Sequence, residues 1–198
     1  MMTLYSDPAD HNAHRVRLLL CEKAAPFRVI DVDDPAGPDA ASHPKDIRVP
    51  TLIEGDLILY DANIISEYID GRYPQPQLLP SDPMLRAKTR LLLFRMEKEL
   101  FSRLPDTVRG SAQAAESARR AVVDHLAPMA PVFSRQRFLL GKEFSMLDVA
   151  MSTLLWRLDH YRVSLPPACE PIRAYAERLF ARPAFSLSLT PQERAMRK

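Results

Sequence analysis

Val49-Pro50-Thr51-Leu52-Ile53-Glu54, then Gly55-Asp56, then Leu57-Ile58-Leu59, is the stretch on which the fold turns. Two apolar runs flank a Gly-Asp pair, the pattern of a tight antiparallel hairpin. Pro50 stands at the head of the first strand. An X-Pro bond adopts the cis form at low cost. A cis bond at Val49-Pro50 turns a backbone edge toward a cleft, where an extended, peptide-like ligand can pair with it. A proline that merely starts a strand fits the same letters.

Upstream of the hairpin, Thr3-Leu4-Tyr5-Ser6 reads as a short strand and Phe27 to Val32 alternates as a second. Between them His14 to Ala24 carries Val16, Leu19, Leu20 and Lys23 at helical spacing. Downstream, Ala62 to Tyr73 is helical, with Ile64, Ile65, Tyr68 and Ile69 on one face. The order strand, helix, strand, hairpin, helix is the thioredoxin arrangement. Pro74, Pro76, Pro80 and Pro83 then exclude a continuous helix or central strand and make a stiff linker.

After Met84 every periodic segment is helical: Leu85 to Val108, Ala112 to Phe133 with a bend at Pro128 and Pro131, Met146 to Tyr161, and Pro171 to Ala181. Ser145-Met146-Leu147-Asp148 has the spacing of a capping box, worth about 0.5–2 kcal/mol, with Phe144 placed to staple onto Val149. The expected organisation is a thioredoxin-like α/β domain over residues 1–75, a proline-rich linker over 76–83 and an all-helical domain over 84–198.

Composition narrows the function. Hydrophobic residues make up 46% of the chain and charged residues 26%, which excludes a disordered protein. Cys21 and Cys169 form no CxxC pair, and His11, His14, His43, His125 and His160 share no ligand spacing, so neither a disulfide framework nor a metal site is expected. No signal segment or membrane span is expected from the Met1 end, which points to a cytoplasmic protein. Residues 1–83 hold 14 acidic and 7 basic side chains, whereas residues 84–198 hold 11 acidic and 20 basic, giving −7 against +9. The basic residues are dispersed and no nucleic-acid-reading motif is present, so the asymmetry suits an acidic-on-basic homodimer better than direct sequence-specific nucleic-acid binding. Trp156 reads as core, Cys21 as a small buried hydrophobe, Arg157 and Asp159 as a solvated or interface pair, and Met196-Arg197-Lys198 as a frayed end.

The ordered parts together resemble the glutathione transferase superfamily, with its cis-proline hairpin, proline-rich linker and capped helical domain. That resemblance implies a hydroxyl or thiol near the start of the first helix, acting on the glutathione thiolate. Asp10 occupies the glutaredoxin-like cysteine position, where its carboxylate repels a thiolate and better suits a helix start. Tyr5, the other candidate hydroxyl, is expected to point into the strand layer, which leaves Ser6. The acid-serine pair expected at the helix after the hairpin is Asp61-Ala62, so the hydroxyl donor is lost, and Asn63 lies one residue further on. Ser6, Asp10, Val49, Pro50, Asp61 and Ala62 thus outline a vestigial glutathione site.

Tyr5-Ser6-Asp7-Pro8, His14-Arg15-Val16-Arg17, Leu57 to Asp61, Glu67-Tyr68-Ile69, Phe144 to Ala150, Trp156 to Tyr161 and Met196-Arg197-Lys198 resemble, more narrowly, the stringent starvation protein A family. The resemblance implies a transferase fold without transferase activity or cofactor, dimers that associate with RNA polymerase holoenzyme through its sigma factor, and a role in starvation and acid-stress responses. It also implies a partner-binding surface at Pro74, Gln75 and Pro76, where the family carries Pro-His-Pro. Gln75 keeps hydrogen bonding but cannot carry charge. The alternative left open is a glutathione-dependent transferase using Ser6.

Overall fold

The computed structural model describes residues 1–33 and 47–197, and His43 and Lys198 lie outside them. The described chain forms two compact units, Met1–Gln77 with Pro183–Arg194, and Leu78–Arg182 with Ala195–Lys198.

In the first unit β1 (Met2–Ser6), β2 (Phe27–Asp31), β3 (Thr51–Glu54) and β4 (Leu57–Tyr60) form a mixed sheet in the order β2-β1-β3-β4. β1 runs parallel to β2 and antiparallel to β3, and β3 pairs with β4 through the expected hairpin. Gly55 at φ 59° supplies the left-handed turn position. Alternation along β1 buries Met2, Leu4 and Ser6 on one face. α1 (His11–Glu22) and α2 (Ala62–Arg72) complete the motif. α1 begins three residues earlier than its apolar spacing indicates, because Asp10 caps it by accepting from the Ala13 amide at 2.7 Å.

α9 (Pro183–Ser188) and α10 (Pro191–Arg194) belong to this unit too, with α9 packed on α1. Pro183 ends α8 (Glu170–Phe180), as anticipated, but it also starts α9. Proline is tolerated in a first turn, where its missing N–H has no helical partner.

The second unit is all helical. Its long first path is α3 (Pro83–Arg95), a π turn at Met96–Leu100, a 3₁₀ turn at Phe101–Arg103 and α4 (Leu104–Arg109). α5 (Ala112–Leu126) passes through a 3₁₀ turn into α6 (Ala130–Arg135), so the bend falls at the prolines as expected. α7 (Met146–Trp156) is buried from Met146 to Leu155, which makes it the central helix. Both arms of the Ser145–Asp148 capping box form. Asp148 does more than cap: its carboxylate accepts from the Ser145 amide (2.8 Å) and hydroxyl (2.6 Å), the Leu139 amide (2.9 Å) and the Tyr175 hydroxyl (2.6 Å). Phe144 meets Phe138 edge-on at 5.6 Å and carries the Arg182 guanidinium 3.9 Å over its ring.

Three expectations are corrected here. Trp156 is not core: it ends α7, half-buried and edge-on to Phe180. Arg157 is not solvated: it is fully buried and donates to the Thr153 carbonyl at 3.1 Å. Arg197 is not frayed, since its guanidinium lies 4.7 Å over Phe180 and 5.3 Å over Trp156 and pairs with Glu177. In each case the long stem or ring spans a boundary that helical periodicity places only approximately.

Candidate functional site

Ser6 ends β1 on its buried face and is 2% exposed. Its hydroxyl oxygen accepts from Arg17 Nη1, and its proton is directed toward the Asp7 carbonyl at 3.4 Å. Arg17 spreads its guanidinium over several acceptors, donating Nε to the Ser188 carbonyl (3.1 Å) and Nη2 to Glu193 Oε1 (2.5 Å). Glu193 is fully buried and also accepts from the Thr190 amide at 2.9 Å. Ser188 Oγ donates to the Phe185 carbonyl (2.7 Å), so at 2.9 Å it accepts from His14 Nε2, which fixes the imidazole tautomer. His14 Nδ1 then faces Glu193 at 3.7 Å. A hydroxyl that activates a thiolate must donate to it. The hydroxyl of Ser6 is instead absorbed in an internal ion-pair network.

Asp10 is committed to capping α1, with His11 Nδ1 3.8 Å from its second oxygen. Asp7 supports the same turn by accepting from the Ala9 (2.7 Å) and Asp10 (3.2 Å) amides. A carboxylate therefore sits at the positive end of the helix.

The Val49–Pro50 bond is cis, as the glutathione transferase resemblance implies. Pro50 is buried and Val49 half-buried, and the Thr51 hydroxyl closes the turn on the Arg48 carbonyl at 2.5 Å. Arg48 lies 5.1 Å over the Tyr60 ring. Across the hairpin, Asp61 caps α2, accepting from the Asn63 (2.8 Å) and Ile64 (3.2 Å) amides at φ 79° and ψ 123°. That conformation is costly for a non-glycine residue, on the order of 1–3 kcal/mol. Ala62 is buried and has no side-chain donor to offer. The side-chain oxygen of Asn63 accepts from the buried Arg15 at 2.5 Å, which fixes the orientation of its amide.

Pro74, Gln75, Pro76 and Gln77 are all exposed, while Leu78 and Leu79 are buried. Gln75–Pro76 is a second cis bond. The segment is held from behind by Lys23, whose ammonium is buried, pairs with Asp70 Oδ1 at 2.5 Å and donates to the Pro76 carbonyl. Lys23 shares the apolar stripe of α1, and burial on that stripe is the signal that marks its charge for an internal partner. The same signal covers Arg15 and Arg17: Ala13 to Leu20 is buried all round, so every charge within it needs a counter-group. Glu193 has no such signal, since it lies in a four-residue helix among polar neighbours.

Cys21 is half-buried, and burial pushes its thiol up to about 11. Cys169 is buried. Among the described residues no group of three or more His, Cys, Asp or Glu side chains is placed to hold a metal, and no helix is long and apolar enough to cross a membrane.

This geometry defines a protein of the glutathione transferase fold. The family model described as "Glutathione S-transferase, N-terminal domain" matches residues 1–71, and "Glutathione S-transferase, C-terminal domain" matches 112–178. A delta-class glutathione transferase of Nilaparvata lugens superposes with a TM-score of 0.83 at 19% identity, covering 99% of this chain and 96% of that one. A theta-class enzyme of Xanthomonas axonopodis pv. citri with glutathione bound superposes at 0.80 and 20% identity, over 96% and 97% of the two chains. Among curated relatives, the Stringent starvation protein A homolog of Coxiella burnetii is 34% identical over 100% of this chain and 96% of its own length. The homolog of Haemophilus influenzae is 34% identical over 96% and 90%. The chain belongs to the stringent starvation protein A family.

Proposed function

We propose that this protein is a transcriptional regulator that works by binding RNA polymerase holoenzyme through its sigma factor, as a cytoplasmic homodimer without glutathione transferase activity. The observation that carries the reading is the fate of Ser6: the one candidate hydroxyl is buried and hydrogen-bonded into the Arg17–Glu193 network. Asp10 stands in place of a thiol, and Ala62 in place of the hydroxyl expected at the γ-glutamyl carboxylate, so both activation and binding of glutathione are expected to be weakened.

The partner-binding role goes to Pro74, Gln75 and Pro76. The three residues are exposed, fixed in φ at the prolines, and anchored through the Pro76 carbonyl to buried Lys23. A preordered ridge loses little entropy on docking. The −7 and +9 halves support a two-fold dimer in which the acidic part of one subunit meets the basic helices of the other. Exposed charges are screened beyond about 10 Å at 0.1 M salt, so that dimer weakens as salt rises.

The test is co-purification with RNA polymerase holoenzyme. Pro74→Ala with Pro76→Ala should weaken binding and leave dimer mass and melting temperature nearly unchanged, while Gln75→His is tolerated or improves binding. Equal binding by the double variant moves the contact off this ridge. Conjugation of glutathione to a chloro-dinitro aromatic should be unmeasurable. Turnover abolished by Ser6→Ala would restore the transferase reading. Glutathione titration by calorimetry, expected to be silent, separates both from a carrier that retains the Val49–Pro50 edge as a ligand site.

A further inference from the structure

The second unit contains a groove unrelated to the glutathione-site residues. A cavity of about 360 Å³ is lined by Trp156, Phe180, Glu177 and Asp159, among others. A neighbouring cavity of about 490 Å³ shares Asp159, Val163 and Ser164 with it and is bounded on its other side by Ala195 and Met196. Ala195 and Met196 line the second cavity and Arg197 lines the first, so the three residues form a strap that borders both. Its guanidinium sits over Phe180 at 4.7 Å and Trp156 at 5.3 Å, rings that are themselves edge-on at 5.0 Å, and its Nη2 pairs with Glu177. Glu177 and Phe180 stand three residues apart on α8, the spacing that puts an acid and a ring on one helix face. The other arginine in the cavity wall, Arg173, is engaged with the Leu165 and Pro166 carbonyls and with Glu170.

Two aromatic faces and a carboxylate around one planar cation make a guanidinium receptor. We infer that the seat formed by Trp156, Phe180 and Glu177 in the wall of this groove is a binding site for an arginine-bearing extended segment of a partner protein, and that Arg197 holds that seat in the free chain as a tethered competitor. The chain itself shows which side chain the seat accepts. A tethered ligand acts at a high effective concentration, so an outside arginine must displace it. A partner whose arginine takes the pocket thereby releases the strap, and the two cavities join into a longer channel for the flanking residues. The inference rests on the second unit alone and is independent of the polymerase assignment.

Trp156 is the single tryptophan in the chain, so its emission reports this pocket without a label. The probe is a capped Ala-Arg-Ala tripeptide, with Ala-Lys-Ala as control, titrated into the full chain. Arg197→Ala should open the site: the arginine peptide should change Trp156 emission saturably, with an affinity about tenfold tighter than in the unsubstituted protein. Adding Glu177→Gln to Arg197→Ala should weaken that binding by a similar factor, and the lysine peptide should bind more weakly than arginine, because an ammonium cannot stack as a plane. A flat titration of the Arg197→Ala protein, equal affinity with and without Arg197, or no preference for arginine over lysine would each overturn the inference. Arg197 is half-buried, and circular dichroism of the Arg197→Ala variant is expected to match the parent.

Discussion

Among the described residues each unit buries one carboxylate completely, Asp148 and Glu193, and the two are held in opposite ways. Asp148 collects its donors mainly from nearby in the chain: the Ser145 amide and hydroxyl three residues before it, the Leu139 amide nine before it, and only Tyr175 from further away. No cation stands among these donors, and burial raises its pKa above the ordinary carboxylate value even though all of them pull it down. Glu193 is answered by Arg17, which lies 176 residues away in sequence, with His14 alongside. One carboxylate ends a helix. The other ties the α9–α10 segment to α1, and in doing so it uses up Ser6.

The contrast can be broken by substitution, and the largest effect belongs to the long-range pair. Glu193→Ala leaves the Arg17 guanidinium buried without its counter-charge and should cost about 3–5 kcal/mol, read by urea unfolding. Replacing Arg17 and Glu193 together with apolar residues of similar volume should recover much of that loss. If the double variant is no better than Glu193→Ala, the pair is not coupled and the network is mis-described. Asp148→Ala comes next, at about 2–4 kcal/mol, because it strips the cap and leaves the Leu139 and Ser145 amides and the Tyr175 hydroxyl without acceptors. A loss larger than that of Glu193→Ala would reverse the ranking. Ser145→Ala should cost only about 0.5–2 kcal/mol, since the Asp148 carboxylate keeps its other donors.

The smallest effect is chemical. With its thiol pushed up to about 11 from 9.0, Cys21 should react with iodoacetamide at pH 8 roughly 100-fold more slowly than an ordinary thiol, and its rate should climb with pH until near 11. The charged form is the disfavoured one here, so reaction follows deprotonation upward in pH. Rapid alkylation of the folded protein at pH 8 would show that this face of α1 is open.

The difference between the two carboxylates also explains what was legible in the chain. The Ser145–Asp148 box was readable because its parts are three residues apart and the spacing is itself the geometry. The cis bond at Val49–Pro50 was expected only through the family resemblance, since the run itself also fits a proline that merely starts a strand. Trp156 and Arg157 were misplaced because they adjoin the end of α7, where apolar periodicity stops ranking faces. Glu193 was invisible: a short helix of polar letters gives no sign that one of them faces inward.

By itself the sequence determined the order of elements, the hairpin, the proline-rich segment and the capped helix, because each depends on contacts within a few residues, while runs spread along the chain carried the family resemblance and with it the cis proline. Only the tertiary structure decided that Ser6 is spent on Arg17, that Lys23 holds the Pro76 carbonyl, and that Arg197 lies between Trp156 and Glu177. Those outcomes depend on which faces meet after the chain has folded back on itself, and a buried charge selects its partner only then, when water is no longer there to compete.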